Sequence, residues 1–352
     1  MQKRNHGVFK KKTRQTIENS SIKNKCDQSI ALIPLQSDKL TIEFSSDYQI
    51  ISRYQDYYVL YSAQLNTSYI MQTHSTDCYA QLPGIKVDHI FFHDTRLICN
   101  SEVYTLQRGK SLEHLSTLQI KFPLTDGCEL DQNTFLFTLQ KHANLFVMKY
   151  DKDKHCYKKI KSLNLRYRTL VNKNHKITKL QRIDSTCYCL IMSEIAKFDI
   201  NFVISDDEKY TKQIKYAVVP HEYIYADPNN LELTDLMLAP DKIHVICQNV
   251  KGLIVVVDQF TGQVVSKVEY SSLELRMVGN FDYLSFPILI ANQRQGLKVV
   301  DVAESGIQGE VKMEEGVDVV GMIGGEGDKV WVACVNKGTR EVCRQVIQLQ
   351  CD

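Results

Sequence analysis

Two histidines stand four residues apart beside two aspartates, in the run Asp88-His89-Ile-Phe-Phe-His93-Asp94, and imidazole with carboxylate is a metal-ligating combination. On a strand, residues four apart share a face but lie about 13 Å from each other, which is too far for one ion. On a helix they could ligate zinc, but the catalytic glutamate of the helical zinc motif is absent. We therefore interpret these residues as polar side chains at the end of a strand.

Three other sequence patterns resemble part of a functional site, but the residues around them do not fit the rest of that site. Cys187 and Cys189 lie in an apolar run and would face one side of a strand, which favours core packing. Asp151 and Asp153 begin like a calcium loop, but its central glycine and final glutamate are missing, so we predict a solvated hairpin tip. The glycine-rich run 321–327 lacks the ending of a phosphate loop and is predicted to be a flexible hairpin. No motif for nucleophilic or metal-assisted catalysis occurs, so we expect no enzyme, no metal and no cofactor.

The charge is distributed unevenly along the 352 residues. Lys and Arg number 43 against 41 Asp and Glu, but residues 1–25 contain eight Lys or Arg and one Glu, a net charge of +7. The run Lys10-Lys11-Lys12-Thr-Arg14 is long enough for a nuclear-import signal or for contacts with phosphates. A disordered solubilising arm is the alternative interpretation, because short charge runs are commonly solvated tails.

The cysteine content and the hydropathy of the sequence limit the cellular compartments in which we expect the protein. The 11 cysteines are odd in number and contain no Cys-x-x-Cys pair, which favours reduced thiols packed as small apolar side chains. No apolar run approaches the ~18 residues of a membrane helix, and residues 1–25 have no secretory apolar region. We expect an intracellular protein without a membrane partner, and the basic tail favours the nucleus over the cytoplasm.

The clearest elements that could position functional residues lie near the C-terminus. Four strands separated by turn residues are predicted at 231–238, 243–247, 252–257 and 264–270. The turn from Asp258 to Gly262 allows the aspartate to accept backbone N–H groups and the glycine to adopt a positive φ. The unit recurs 43 residues later at Asp301, with Gly306 or Gly309 in the next turn, and a third copy spans 317–349. A repeat of 40–45 residues with four strands is typical of a propeller blade.

The N-terminal half follows the same repeat less regularly. Buried second strands are predicted at 57–61, 96–99, 134–139 and 186–192, which with the three C-terminal copies predicts seven blades. Two long intervals hold loop insertions, 164–176 and 205–212, and the second includes the acidic run Asp206-Asp207-Glu208. The alternating strand Leu40–Ser45 would pair with the last blade and close the ring. Residues 111–118 fit a short helix or a distorted strand.

These features resemble WD40-type β-propellers. The resemblance spans about 38–350 and rests on the Asp258 to Gly262 turn, the 43-residue repeat and the unassigned N-terminal strand. Neither the Trp-Asp nor the Gly-His dipeptide of that family occurs, so the resemblance is to a degenerate member. The predicted fold class is all-β, a seven-bladed β-propeller with ring closure by an N-terminal strand. It would form one domain over 36–352 after a basic tail over 1–35, with two stacked β-sandwiches as the alternative.

The resemblance implies a rigid, non-catalytic scaffold for protein–protein interactions, a monomeric propeller within a multi-subunit complex. Asp258, Gly262, Asp301 and Gly306 would be structural turn residues, and the acidic insertion would contact partners. Two alternatives stay open. One is a nucleic-acid-associated factor that uses the basic tail, and the other is a propeller enzyme or ligand binder with a site in the central channel.

Overall fold

The computed structural model describes most of the chain from residue 30 onward. The described residues are 30–93, 96–105, 113–118, 120, 123–131, 133–140, 144–164, 176–204, 217–218, 221–239, 241–269, 274–277, 287–292, 296–301, 306–326 and 328–351. They form 29 strands and one helix of five residues.

The strands form seven sheets, named here by their order along the chain, and their ladders are antiparallel except where β17 joins the third sheet in parallel. The first sheet contains β2 (Gln49–Tyr54), β3 (Tyr57–Ser62), β4 (Thr67–Gln72) and β5 (Cys78–Pro83). The second contains β6 (Ile90–His93), β7 (Arg96–Cys99), β8 (Glu102–Thr105) and β9 (Glu113–Thr117). The third contains β10 (Leu124–Asp131), β11 (Thr134–Leu139), β12 (Asn144–Asp151) and β13 (Cys156–Asn164), with β17 (Ala217–Val218) added.

The remaining sheets follow the same order. The fourth sheet contains β14 (Ile177–Ile183), β15 (Thr186–Ile191), β16 (Glu194–Asp199) and β18 (His221–Ala226), and α1 (Ile200–Ile204) follows β16. The fifth contains β19 (Leu233–Leu238), β20 (His244–Asn249), β21 (Leu253–Asp258) and β22 (Val264–Glu269). The sixth contains β23 (Glu274–Met277), β24 (Pro287–Asn292), β25 (Gly296–Asp301) and β26 (Gly306–Val311). The terminal sheet contains β27 (Val317–Glu326), β28 (Lys329–Asn336), β29 (Glu341–Cys351) and β1 (Ile30–Lys39).

The second strand of each sheet lies within one or two residues of the range that the sequence pattern predicted for it. All six residues of β11 are buried, and β7 coincides with the predicted 96–99. These strands are continuous apolar runs because both of their faces pack against neighbouring sheets. Between the third and fourth sheets, for example, Leu136 of β11 and Cys189 of β15 belong to one apolar cluster.

The predicted fold class, a seven-bladed propeller with ring closure by an N-terminal strand, needs correction. The structure is all-β, but its arrangement is that of a six-bladed propeller with a seventh, small sheet, and it is not clearly seven-bladed. The smallest sheet is the second one, whose strands have four, four, four and five residues. Its first two strands share only four ladder pairs, from Ile90↔Cys99 to His93↔Arg96. The sequence repeat predicts the number of buried strands, but it does not predict how long the strands of each sheet are.

The strand predicted at Leu40–Ser45 lies elsewhere. β1 pairs with β29 from Ile30↔Cys351 to Lys39↔Cys343, with a register shift at Pro34. Proline is tolerated there because an outer strand needs ladder hydrogen bonds on one side only. The alternation after residue 39 has another cause: Leu40 is buried, and Ile42 and Phe44 pack on the same cluster without forming a ladder.

Two other sequence interpretations are settled by the structure. The segment left open as a helix or a strand contains strand β9. The glycine run 321–327 was predicted to be the hairpin between the first two strands of the last blade, and residues 321–326 are the end of β27 in its antiparallel hairpin with β28. A Cβ on Gly324 would come 2.2 Å from Cγ2 of Thr73. The glycine therefore permits close packing of the terminal sheet on the loop after β4, where the Thr73 hydroxyl donates to the Ile323 carbonyl at 3.0 Å.

Among the described residues, no helix is long and apolar enough to cross a membrane.

Candidate functional site

One cavity in the described part of the chain is a groove between the outer strands of the fourth and fifth sheets. Its volume is about 1110 Å³, and β18 and β22 form its two sides. Small-molecule pockets usually have about 300–1,000 Å³, so the groove is large enough for a polypeptide segment. Apolar residues from both strands and from the β21–β22 turn line it, among them Tyr223, Ile224, Tyr225, Phe260, Val264 and Val265.

The β21–β22 turn is built on Asp258. Its Oδ1 accepts the backbone N–H groups of Phe260 at 2.8 Å and Thr261 at 2.9 Å. The backbone carbonyl of Asp258 accepts the N–H of Gly262 at 2.8 Å. These backbone N–H donors, that of Thr261 first, hold the pKa of the Asp258 carboxyl below its usual value. The turn therefore has a defined shape, and Phe260 is held at its tip.

Gly262 joins this turn to the neighbouring sheet. Its φ is +70°, and a Cβ there would come 2.6 Å from the carbonyl oxygen of Ile224 in β18. Only glycine fits this contact without displacing backbone. The turn therefore packs closely against the backbone of β18 at Ile224.

The side chain of Lys197 contacts the ring of Phe260. Its ammonium group lies 5.0 Å from the centre of the Phe260 ring, within the range of a cation–π contact. The same group donates to the carbonyl oxygen of Gln259 at 3.2 Å and pairs with Glu222 at 3.3 Å. Gln259 is buried and accepts the Tyr188 hydroxyl at 2.9 Å. The exposed Phe260 ring therefore packs on Lys197, which hydrogen bonds hold to Gln259.

Three large apolar side chains at this groove face solvent. Phe260 is 66% exposed, the highest value among the large apolar residues described, and Val264 and Val265 are 46% and 52% exposed. Phe260 lies in the β21–β22 turn, and Val264 and Val265 are the first two residues of β22. All three line the groove and give it an exposed apolar lining. Such patches commonly mark interaction sites.

A second candidate is a polar cluster where the first strands of four sheets converge. Residues of β2, β10, β14 and β19 line a cavity of about 700 Å³ there. The Asp126 carboxylate accepts the Gly127 N–H at 2.8 Å and the Leu180 N–H of the next sheet at 2.7 Å. Burial raises the pKa of Asp126 to about 6.

Polar contacts between neighbouring sheets also join the fourth sheet to the fifth. Lys179 of β14 forms an ion pair with Asp235 of β19, whose Oδ1 also accepts the Leu236 N–H at 2.8 Å. Arg182 donates to the carbonyl oxygens of Glu129 and Leu130 at 2.6 and 2.8 Å. The charged groups named here have partners within the protein, so we assign this cluster to joining neighbouring sheets.

Several predicted site residues lie outside the described residues. These are the basic-tail residues Lys10, Lys11, Lys12 and Arg14, and the acidic-loop residues Asp206, Asp207 and Glu208. Asp258 and Gly262 occupy the turn beside the groove. Asp301 is the last residue of β25 and Gly306 the first residue of β26, and the two are ladder partners. They belong to the sixth sheet and are not among the residues that line the groove.

The other patterns singled out in the sequence have structural positions. His89 precedes β6 and stacks on Phe91, and burial lowers its pKa. Cys187 and Cys189 are fully buried in the core between the third and fourth sheets. Asp151 accepts the N–H of Asp153 at 3.0 Å in an exposed hairpin tip. Among the described residues, no three His, Cys, Asp or Glu side chains are grouped to hold a metal ion.

Sequence reasoning missed both the groove and the linked first strands. The linked strands share the pattern apolar–Thr–charged, in Leu124-Thr125-Asp126, Ile177-Thr178-Lys179 and Leu233-Thr234-Asp235. In each the ladder register skips the threonine, so this is a recurrent β-bulge, and each charged residue that follows it contacts a neighbouring sheet. For the groove, the available signal was an aromatic residue at a polar turn followed by two adjacent valines.

Comparison with known proteins supports the fold. The structure is similar to the crystal structure of BamB from Moraxella catarrhalis, with a TM-score of 0.53 and 11% sequence identity. The alignment covers 90% of this chain and 97% of the BamB chain. No family model matches this sequence, and no curated protein sequence matches it. The likeness therefore identifies a β-propeller fold. In all, 1364 chains of known structure match.

Proposed function

We propose that this β-propeller is an interaction scaffold that binds protein partners in the groove between β18 and β22. The observation that carries the proposal is that three exposed apolar side chains, Phe260, Val264 and Val265, line this groove beside a turn held by hydrogen bonds. Burial of such a side chain stabilises a complex by about 1.5–3 kcal/mol, and an ordered aromatic anchor loses little entropy on binding.

The rigid supports favour a preformed binding surface. Asp258 holds the turn, Gly262 seats it on β18, and Lys197 lies under the Phe260 ring. A preorganised surface avoids the cost of ordering side chains when the partner binds. These contacts support a binding role for the groove, as expected of a scaffold.

The finer parts of the proposal come from the sequence. We propose a degenerate WD40-like, non-catalytic propeller that works as one subunit of an intracellular complex. The nine described cysteines are free and six of them are buried, which fits a reducing compartment.

A matched pair of variants tests the binding role. Val265→Asp places a charge in the groove, whereas Val250→Asp places the same charge at an equally exposed valine, 54% against 52%, in the β20–β21 turn. In affinity purification from native cells, the wild type and Val250→Asp should retain a stoichiometric partner that Val265→Asp loses. Equal recovery of every partner by both variants would exclude the groove as the binding site.

The charge of residues 1–25 supports a second, independent binding role. Eight Lys or Arg against one Glu would contact phosphates of a nucleic acid. Removal of residues 1–25 should then abolish binding to a random-sequence RNA or DNA duplex, and binding by the full chain should weaken steeply with salt. Equal binding with and without the tail would contradict this role.

A further inference from the structure

We propose that the outer hairpin of the third sheet contacts the phosphate backbone of a nucleic acid without reading its sequence. The surface is residues 149–161, where β12 turns into β13, and is called the lysine hairpin here. The inference extends the nucleic-acid role proposed for residues 1–25 to the folded part of the chain, and it does not involve the groove. The hairpin contains Lys149, Lys152, Lys154, Lys158, Lys159 and Lys161.

The lysine hairpin is strongly basic, whereas the body of the protein is mildly acidic. The hairpin contains six Lys against two Asp, and residues 26–352 as a whole contain 35 Lys or Arg against 40 Asp or Glu. All of its lysines except the half-buried Lys161 are exposed. A surface with such an excess of positive charge raises the local concentration of an anionic partner and accelerates its association.

Two of these lysines face each other across the hairpin. Lys149 of β12 is the ladder partner of Lys158 of β13, and like charges in directly opposite positions destabilise a sheet. Asp151 forms an ion pair with Lys158, and its Oδ1 accepts the backbone N–H of Lys154 at 3.2 Å. In the described part of the chain, no carboxylate forms an ion pair with Lys149, Lys152 or Lys154. An anionic partner would therefore neutralise charge that these residues leave in place.

The lysines extend along the outer strand of the sheet. Residues of a strand rise about 3.3 Å each, so the distance from Lys154 at the hairpin tip to Lys161 is about 20 Å. Lys158 and Lys159 point to opposite faces, because successive strand residues alternate, so positive charge is present on both sides of β13. β17 pairs with β13 at residues 163–164, beyond the lysines. Phosphates of one duplex strand repeat every ~3.4 Å along the axis, so a row of this length spans about six of them.

The residue type favours phosphate as the group that is bound. All cationic residues of the hairpin are lysines. Lysine is a flexible point charge, whereas bidentate recognition of base edges and carboxylates is characteristic of arginine. Contacts with phosphates position a protein without specifying a base sequence. The basic residues 1–25 would bind the same polyanion, and two linked binding segments give a higher apparent affinity than either alone. A nucleic acid bound through its backbone therefore fits the hairpin better than an acidic protein.

The test measures binding of a random-sequence DNA duplex to the full chain by fluorescence anisotropy over a range of salt concentrations. The hairpin variant carries Lys149→Gln, Lys152→Gln and Lys154→Gln. The matched control carries Lys251→Gln, Lys312→Gln and Lys329→Gln, three exposed lysines outside the hairpin that also have no ion pair within the described residues. Both variants have the same net charge, so a difference between them reports the location of the lysines.

We expect the hairpin variant to lose phosphate contacts that the control retains. Each contact contributes about 0.9 to the slope of the logarithm of the association constant against the logarithm of the salt concentration, so loss of three should reduce the slope by about 2–3. The affinity at about 0.1 M salt should fall at least tenfold. The control should keep the wild-type slope and an affinity within about twofold of the wild type.

A third variant of the full chain, with Lys10→Gln, Lys11→Gln and Lys12→Gln, separates this inference from the proposed role of the tail. Loss of binding in the tail variant, with the hairpin variant equal to the control, would overturn the inference and leave the tail role intact. Loss in the hairpin variant alone would support the inference and contradict the tail role. No binding of the duplex by the full chain would overturn both. Binding of phosphatidylserine vesicles that the hairpin variant loses, with duplex binding unchanged, would assign the surface to a membrane and overturn the inference.

Discussion

The carbonyl oxygen of Ile224 lies where a side chain on Gly262 would begin, 2.6 Å from the position of a Cβ. This contact joins the β21–β22 turn of the fifth sheet to the outer strand of the fourth. Both residues also line the groove between β18 and β22. The contact therefore fixes the position of the turn beside the groove, and it requires glycine.

Gly262→Ala should destabilise the protein more than the same change at another left-handed glycine. Gly84 has a similar φ of +75° and nothing within 4 Å of the position that a Cβ would take, so Gly84→Ala should cost only the conformational penalty of about 1–2 kcal/mol. Gly262→Ala adds a clash with backbone, for a total of at least about 3 kcal/mol. Urea denaturation of the full chain measures both values, and equal losses would contradict the contact.

Asp258→Ala should loosen the turn that carries Phe260. The variant loses the acceptor of two backbone N–H groups, whereas Asp258→Asn keeps an oxygen that can accept them. We expect a lower Tm and weaker groove binding for the alanine variant and near-wild-type behaviour for the asparagine variant. Because the pKa of Asp258 is lowered in the folded state, its contribution is present above the ordinary aspartate pKa of about 4 and is lost as the pH falls below it. Indistinguishable alanine and wild-type proteins at pH 7 would contradict this role.

Asp126→Asn should change how stability depends on pH. The folded-state pKa of Asp126 is about 6, above the ordinary value, so between about pH 4 and 6 the folded chain holds a proton that the unfolded chain has released. Its contribution to stability therefore falls as the pH rises through this range. The free energy of unfolding of the wild type minus that of Asp126→Asn should fall by roughly 2–3 kcal/mol between pH 4 and 7. Parallel curves for the two proteins would contradict the raised pKa.

Removal of β1 should expose the edge of β29 and destabilise the terminal sheet. Leu32 is buried in the same cluster as Ile347 and Leu349, and Arg344 of β29 pairs with Asp38 at 2.7 Å. A chain that lacks residues 1–39 should therefore unfold at a lower temperature and aggregate, whereas a chain that lacks residues 1–29 retains all of these contacts. Circular dichroism melts of the two truncations provide the comparison. Equal Tm values would show that β1 contributes little.

Buried strands could be predicted from the sequence because burial on both faces leaves a continuous apolar run. Strand β11 and strand β7 are examples, and both begin and end where the pattern indicated. The edge strand β1 could not be recognised in this way, because one of its sides is open to solvent and it contains Pro34 and several polar residues. The alternating segment at Leu40–Ser45 misled the prediction because apolar residues can alternate in irregular chain that packs on one side.

The local shape of the Asp258 turn followed from its residue types, but the groove beside it did not. Hydrogen bonds to the Asp258 carboxylate come from residues two and three positions away, which a sequence displays directly. The exposure of Val264 and Val265 depends on the distance between two sheets, and the contact of Gly262 with Ile224 joins residues 38 positions apart. Such relationships are set by packing between sheets, and a sequence repeat carries no information about them.

Site-specific photo-crosslinking in native cells tests the central claim most directly. A photoreactive amino acid replaces Val265 in one full-length chain and Val250 in another, two positions of nearly equal exposure. The account predicts a discrete crosslinked protein adduct at position 265 and none at position 250. Absence of an adduct at 265, or the same adducts at both positions, would show that the groove between β18 and β22 is not where partners bind.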